Sequence, residues 1–255
     1  MKIIDSHAHV NFRDFDEDRE EVVQRSLEAG IWMLNVGCEY ETSKKAVEMA
    51  ETHAEGVYAV VGLHPSYTDE KFDWEKYSSL ARSDKVVAIG EIGLDYYNRP
   101  KNKEKKREFE ERQISLFVEQ LALAESLDLP VIIHCRSAHD DVAEILRKRR
   151  RRIRGVVHCF TGEWESAQVY LDMGLYIGFT GIIFKLDLKK SVTEVPLDRM
   201  LVETDCPYLM PPSGSGRNEP LYVKEVVKAI ASLRGEKDEK IAEVTTANAR
   251  RLFGI

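Results

Sequence analysis

What most constrains this chain is an alternation. Eight short apolar runs rich in β-branched residues recur along its 255 residues: KIID (2–5), IWMLNVGC (31–38), VYAVVGL (57–63), VVAIGEIG (86–93), PVIIHC (130–135), GVVHCF (155–160), LYIGFT (175–180) and RMLVETD (199–205). Each is too short for a buried helix and too uniformly apolar for a half-solvated strand, so each predicts a strand of a parallel sheet covered on both faces. Between them lie amphipathic stretches with a helical period, such as 18–30, 109–127 and 137–149. Gly30 and Gly174 fall where helix C-caps belong, just before the next strand. Strand followed by helix, eight times in about 250 residues, predicts a (β/α)8 barrel occupying 1–255 as a single α/β domain. Alternation alone cannot show closure, so an open doubly wound sheet is the structural alternative. The segment 211–219 is a loop rather than a linker, because PLYVKEVVKAIASL (220–233) resumes as a helix and a last helix covers about 238–253.

Several classes of protein are excluded at once. No apolar run approaches the ~20 residues needed to span a bilayer, and the N-terminus, acidic by Asp5, does not resemble a signal peptide. Cys38, Cys135, Cys159 and Cys206 are widely spaced with no Cys-x-x-Cys pair, which argues against a zinc ribbon or a disulfide framework and predicts a reducing cytoplasm. A net charge of −7 does not suit a protein that coats DNA, although ions held in a site supply local positive charge. No segment points to an obligatory protein partner.

The informative polar residues share one register. Barrel chemistry sits at the C-terminal mouth of the strands. The first strand ends in His7 and His9, the third in His64, the fourth in Glu91, the fifth in His134, the sixth in His158, and the eighth in Glu203 and Asp205. Any one of these is ordinary; converging in one mouth, they would be prohibitively costly to bury unpaired. Divalent cations remove the difficulty. Four histidines (7, 9, 134, 158) and two carboxylates (91, 205) are too many for one four-coordinate zinc, and two ions sharing a carboxylate, about 3.5–4 Å apart, suit them better. Cys135, Cys159 and Cys206 each follow a candidate ligand and are expected to face the helix layer, since strand neighbours point oppositely.

The motifs DSHAHV, GLHP, GEIGLDYY, IIHCR, HCFTG, VETDCPYL and RNEP, in this order from residue 5 to about 250, resemble the TatD-type metal-dependent deoxyribonucleases of the amidohydrolase-like barrels. The resemblance implies a two-metal barrel that hydrolyses phosphodiesters, most simply an exonuclease acting on single-stranded or frayed DNA ends. It implies that His7, His9, Glu91 and Asp205 hold one ion and that Glu91, His134 and His158 hold the other, with Glu91 bridging. Many amidohydrolase barrels place a carbamylated lysine where Glu91 stands; a Glu bridge suits Mg²⁺, Mn²⁺ or Zn²⁺. The chain departs from the pattern at Tyr67, where members often carry a histidine.

Roles follow from position. Asp205 is expected to accept the proton of the attacking water and His64 to assist the leaving group. Arg136, Arg217 and Asn218 are candidate substrate contacts, and Glu203 lies deeper, behind Asp205. Of two basic runs, 147–154 ends the fifth helix on the face away from the metals and is expected to serve that helix terminus. The run 99–107 follows the fourth strand, flanks the mouth, and is the better nucleic-acid contact. The runner-up activity is hydrolysis of an amide or lactone by the same cluster. Within the phosphodiester reading, DNA ends, RNA, damaged sites and small phosphoesters all remain open as substrates.

Overall fold

The computed structural model describes residues 2–255. All eight apolar runs are strands: β1 (Ile3–Ala8), β2 (Ile31–Val36), β3 (Val57–Val61), β4 (Val86–Asp95), β5 (Val131–Arg136), β6 (Gly155–Val157), β7 (Tyr176–Phe179) and β8 (Met200–Val202). They pair in parallel in strict sequence order from β1 to β8. Around them run α1 (Arg19–Glu28), α2 (Tyr40–Glu51), α3 (Trp74–Leu80), α4 (Lys103–Leu127), α5 (His139–Arg147), α6 (Trp164–Asp172), α7 (Lys189–Glu194), α8 (Val223–Arg234) and α9 (Asp238–Phe253). Gly30 and Gly174 adopt φ of 77° and 82° immediately after α1 and α6, the left-handed turn that ends a helix without a Cβ penalty.

Two apolar layers hold the fold. The inner one takes a side chain from every strand, among them Ile4, Leu34, Val60, Ala88, Ile132, Val156, Tyr176 and Leu201, and is plugged from below by Leu252 and Phe253 of α9. The outer one packs Ile3, Ile31, Val57, Ile89, Ile133 and Ile177 against the helices.

Closure between β8 and β1 comes from polar groups that also position the mouth. His7 O accepts from Asp205 N (2.9 Å), and Cys206 O accepts from His9 N (2.9 Å). Ser6 Oγ donates to Val202 O (3.2 Å). The fully buried Asp5 carboxyl receives Thr204 N (2.9 Å), Thr204 Oγ1 (2.5 Å) and His7 N (3.2 Å). Burial pushes this carboxyl up to about 8, although these donors pull it down. Asp5→Ala strips partners from buried donors at the seam, and we expect it to cost about 3 kcal/mol. Urea unfolding checks this: the midpoint should fall with an unchanged slope, and a loss under about 0.5 kcal/mol would place the seam's strength elsewhere.

Two segments of the chain depart from, or fill in, the sequence reading. The mouth-flanking run 99–107 is only partly a loop, because Asn102 caps α4 through Glu104 N (3.0 Å) and Lys105 N (3.1 Å), making Lys103, Lys105, Lys106 and Arg107 helical. The arginine run after α5, expected to serve the end of that helix, instead sends its hydrogen bonds to the neighbouring helices α4 and α6. Arg152 Nε donates to Met173 O at the end of α6 (2.9 Å), Arg154 donates to Asp128 O after α4, and Arg149 grips Glu125 with two bonds (2.9 and 2.6 Å).

Candidate active site

The strand ends deliver the polar residues to one cavity of about 750 Å³, which His9, His64, Glu91, His134, His158 and Asp205 line. Strict alternation would not have brought all of them inward. Ile4 faces the barrel interior while Ala8 faces the helices, so the parity of β1 reverses between them, and the pairing with β2 is irregular between Asp5 and Ala8. In β4, Ile89 and Ile92 both face outward, with an irregularity between them. These bulges aim His7, His9 and Glu91 at the axis. Backbone strain gathers here too: Ser137, Cys159, Asp205 and Leu209 are non-glycine residues with φ between 43° and 57°.

For His9 and His134, hydrogen bonds outside the cluster dictate which ring nitrogen looks in. His9 Nδ1 donates to Val36 O (2.8 Å), leaving the Nε2 lone pair facing Asp205 Oδ1 (3.4 Å). His134 Nε2 donates to Asp95 Oδ2 (3.3 Å), so Nδ1 faces Glu91 Oε1 (2.5 Å). His158 turns Nε2 to the same oxygen (2.6 Å), with Nδ1 3.6 Å from Glu203 Oε2. His7 Nε2 lies 3.1 Å from His9 Nε2, 3.4 Å from Glu91 Oε2 and 3.7 Å from Asp205 Oδ1. Carboxylate and carbonyl partners that fix ring orientation in this way are the usual surroundings of metal-binding imidazoles.

Glu91 is the hub. Its Oε1 faces His134 and His158, while its Oε2 faces His7. Burial would raise its pKa, but the imidazoles of His158, His64 and His134 hold the carboxyl well below the usual range. Among the described residues, histidines are the only basic side chains within ion-pair distance of Glu91 or Asp205. Four overlapping groups within the cluster could hold an ion: His7–His9–Asp205, His7–Glu91–His158, His9–Cys38–Glu91 and His64–Glu91–His134. A set of imidazole nitrogens and carboxylate oxygens without a cationic side chain fits divalent ions.

His64 differs from the six. Its Nδ1 accepts from Ser66 N (3.1 Å), so in the neutral ring Nε2 carries the hydrogen, 3.6 Å from Glu91 Oε1. Burial pushes its pKa down to about 3, so the ring is neutral at pH 7. A nitrogen that carries hydrogen donates rather than coordinates.

Other candidate residues sort differently. Arg136 lines the cavity, its guanidinium 3.7 Å from the centre of the Tyr97 ring. Arg217 and Asn218 are corrected: Arg217 is bound to Asp18 (2.8 Å) and Glu219 (3.2 Å) and lies over Phe15, while buried Asn218 donates to Thr204 O (3.0 Å) and Tyr208 O (2.5 Å). Both brace the loop after β8, Asn218 with both of its amide donors and Arg217 with its two terminal guanidinium nitrogens. Glu203 is fully buried beneath the cluster, accepting from Cys159 N (3.0 Å) and Ser6 Oγ (3.2 Å). The Cys135 thiol turns toward α5 and α6, 3.2 Å from His139 Nδ1 and 3.6 Å from Tyr170 OH. Both Cys135 and Cys159 contribute to the cavity wall, and at Cys159 a left-handed backbone breaks the alternation.

Sequence reasoning missed Asp95 and Cys38. Asp95 lies on the same strand as Glu91 and within GEIGLDYY, which is signal enough; Cys38, 3.9 Å from Glu91 Oε2, ends the second apolar run without any motif to mark it.

A family model described as TatD related DNase matches residues 4–254. The chain belongs to that family. It is 41% identical over 263 residues to the uncharacterized metal-dependent hydrolase YabD of Bacillus subtilis, covering 99% of each chain. It is 38% identical to a protein of Klebsiella pneumoniae named 3'-5' ssDNA/RNA exonuclease TatD, covering 99% of this chain and 98% of that one. Among solved structures, YjjV, a TatD homolog of Escherichia coli, superposes with a TM-score of 0.88 at 33% identity, covering 99% of this chain and 98% of that one. The chain is therefore a metal-dependent hydrolase of the phosphodiester-cleaving kind. No helix among the described residues is long and apolar enough to cross a membrane.

Proposed function

We propose that this chain, acting as one catalytic unit over 1–255, removes nucleotides from the ends of single-stranded DNA or RNA with two divalent ions. The observation that carries the two-ion reading is Glu91, whose two oxygens face different histidines, His7 on one side and His134 with His158 on the other. His7, His9, Glu91 and Asp205 would hold one ion, and Glu91, His134 and His158 the other. Mg²⁺, Mn²⁺ and Zn²⁺ all suit this nitrogen and oxygen set. Bound ions would supply an activated water and neutralise the charge on the phosphate.

The chain's own residues do the rest. Asp205 Oδ1, at the cavity wall, accepts the proton of the attacking water. The His64 Nε2–H donates to the leaving oxygen as negative charge develops there. Arg136 offers a guanidinium to a phosphate. The names of the relatives support single-stranded DNA or RNA and 3'-to-5' polarity. The amide or lactone alternative is weaker because Glu91 occupies the bridging place, leaving no lysine to carbamylate. Four free thiols suit a reducing cytoplasm, and nothing in the proposed chemistry calls for a protein partner. Metal analysis followed by assays on oligonucleotides blocked at the 3' or the 5' end tests the reading. Cleavage abolished by the 3' block alone is expected; preferential turnover of amides or lactones would overturn it.

The basic run at the start of α4 should contribute to holding the polymer. Among the described residues Lys101, Lys103 and Lys105 have no carboxylate partner, whereas Lys106 lies 3.9 Å from Glu110. Replacing these three lysines by glutamine should flatten the salt dependence of oligonucleotide binding, by about 0.7 in log–log slope for each phosphate left without its lysine. Fluorescence anisotropy across a salt series, in the slow His64→Ala background, measures it. Arg150→Gln, on the opposite face, should leave the slope unchanged; the reverse pattern would move the polymer to that face.

A further inference from the structure

Among the described residues the two most exposed large apolar side chains are Tyr97 (62% exposed) and Tyr208 (54%), and both line the metal-site cavity. Tyr67 and Leu186, also exposed, line it as well. Solvated aromatic surface gathered at one place marks a binding surface rather than chance exposure. The two tyrosines stand on opposite lips. Tyr97 follows β4 and leans on β5 through Arg136; Tyr208 follows β8, its ring 6.4 Å from that of His9 after β1. In a ring ordered β1 to β8, those two positions lie half a circumference apart. The metal ligands lie between them.

Each ring is held by the same groups that organise the site. Tyr97 N donates to Asp95 Oδ1 (2.9 Å), the carboxylate that orients His134. Tyr208 N donates to Asp205 O (3.0 Å), and Tyr208 O accepts from buried Asn218. The Arg136 guanidinium lies over the Tyr97 ring, 3.7 Å from its centre, while the residue as a whole stays 62% exposed. Flat apolar faces paired with a cation match a nucleotide, which has a base to stack and a phosphate to neutralise. A cavity of about 750 Å³ is the size of an ordinary small-ligand site, so it admits the end of a strand and not the body of a duplex.

We infer that Tyr97 and Tyr208 form a two-sided stacking clamp for unpaired bases on either side of the scissile phosphate, with Arg136 holding the phosphate beside Tyr97. This rests on the nuclease reading above and adds to it the residues that select single strands. A base inside a duplex offers neither face to such a clamp, because its neighbours cover both. A terminal pair offers only one, so a clamp that takes two successive bases needs them unpaired.

The test uses the full-length, metal-loaded protein and two single-stranded oligonucleotides, one normal and one abasic at its last two positions. Tyr97→Ala and Tyr208→Ala should each lower kcat/KM on the normal strand, mostly through KM, by roughly 5- to 150-fold, the range for loss of one base–aromatic stack. Tyr97→Phe and Tyr208→Phe should retain nearly full activity, and bound metal should be unchanged in all four. On the abasic strand, which offers neither base, the wild type should fall to the level that the Tyr97→Ala/Tyr208→Ala double variant shows on the normal strand. The alanine substitutions should lower it no further. Equal loss by the alanine variants on both strands overturns the clamp alone, since rings that merely shape the mouth would matter regardless of bases. Failure of the wild type to cleave either strand overturns the nuclease reading and the clamp with it.

Discussion

Glu91→Ala should abolish tight binding of both ions and reduce turnover at least about 10³-fold. The carboxylate is almost fully buried, and its oxygens are shared between His7 on one side and His134 with His158 on the other. In the proposed two-ion arrangement its removal would delete a ligand from each half, and it leaves the surrounding imidazoles without their anionic partner. Metal ions in such centres contribute several kcal/mol of transition-state stabilisation, and each 1.4 kcal/mol is a factor of ten in rate. Elemental analysis after dialysis, paired with turnover of a simple phosphodiester, gives the two readouts. Glu91→Gln should resemble the alanine variant, because an amide offers one neutral oxygen where the bridge needs two charged ones. Full two-metal occupancy in Glu91→Ala would refute the bridging role. Loss of one ion only would assign Glu91 to a single half.

His64→Ala should keep its metal and lose turnover by roughly 10²–10⁴-fold, the range for removal of a positioned acid–base group. The reason lies in the ring's tautomer. Ser66 N–H occupies Nδ1, so Nε2 bears the hydrogen and points at the centre as a donor. With its pKa near 3, the ring is already neutral well below pH 6, so activity should show no basic limb near 6.5 arising from this residue. In the proposed mechanism it would act as a neutral hydrogen-bond donor to the developing charge, a sharper role than an acid that must first be protonated. Metal loss in His64→Ala would make it a ligand and break the six-residue scheme; unchanged turnover would make it structural. Comparing kcat with bound metal in the same preparation separates the two.

Much of this centre is legible in the sequence because barrel strands are apolar along their length, which makes each ionisable residue at a strand end conspicuous. His7, His9, Glu91, His134, His158 and Asp205 stand out for that reason, and the structure brings all of them together. Arg217 and Asn218 mislead because a loop's polar side chains look alike in sequence whether they face substrate or their own backbone. Only partners elsewhere in the chain, Asp18 at 2.8 Å and Thr204 O at 3.0 Å, show that both side chains are bound to the protein itself. The start of α4 resembles loop because its lysines have no apolar period, yet an asparagine cap and later packing suffice to make it helical.

The sequence by itself determined the number and order of the strands, the residue types at their ends and the chemistry those types permit, since all three rest on local periodicity and on the cost of burying charge. Tertiary structure alone decided closure and aim. The ring is sealed by pairs such as Asp5 with Thr204, almost two hundred residues apart, and no local pattern encodes a pairing of that range. Aim depends on parity: side chains alternate with a period of two, so one irregularity reverses everything beyond it. Bulges in β1 and β4 do this, turning His7, His9 and Glu91 from the helix layer to the barrel axis. A bulge is set by pairing with the neighbouring strand, which is why it could not be read from either strand alone.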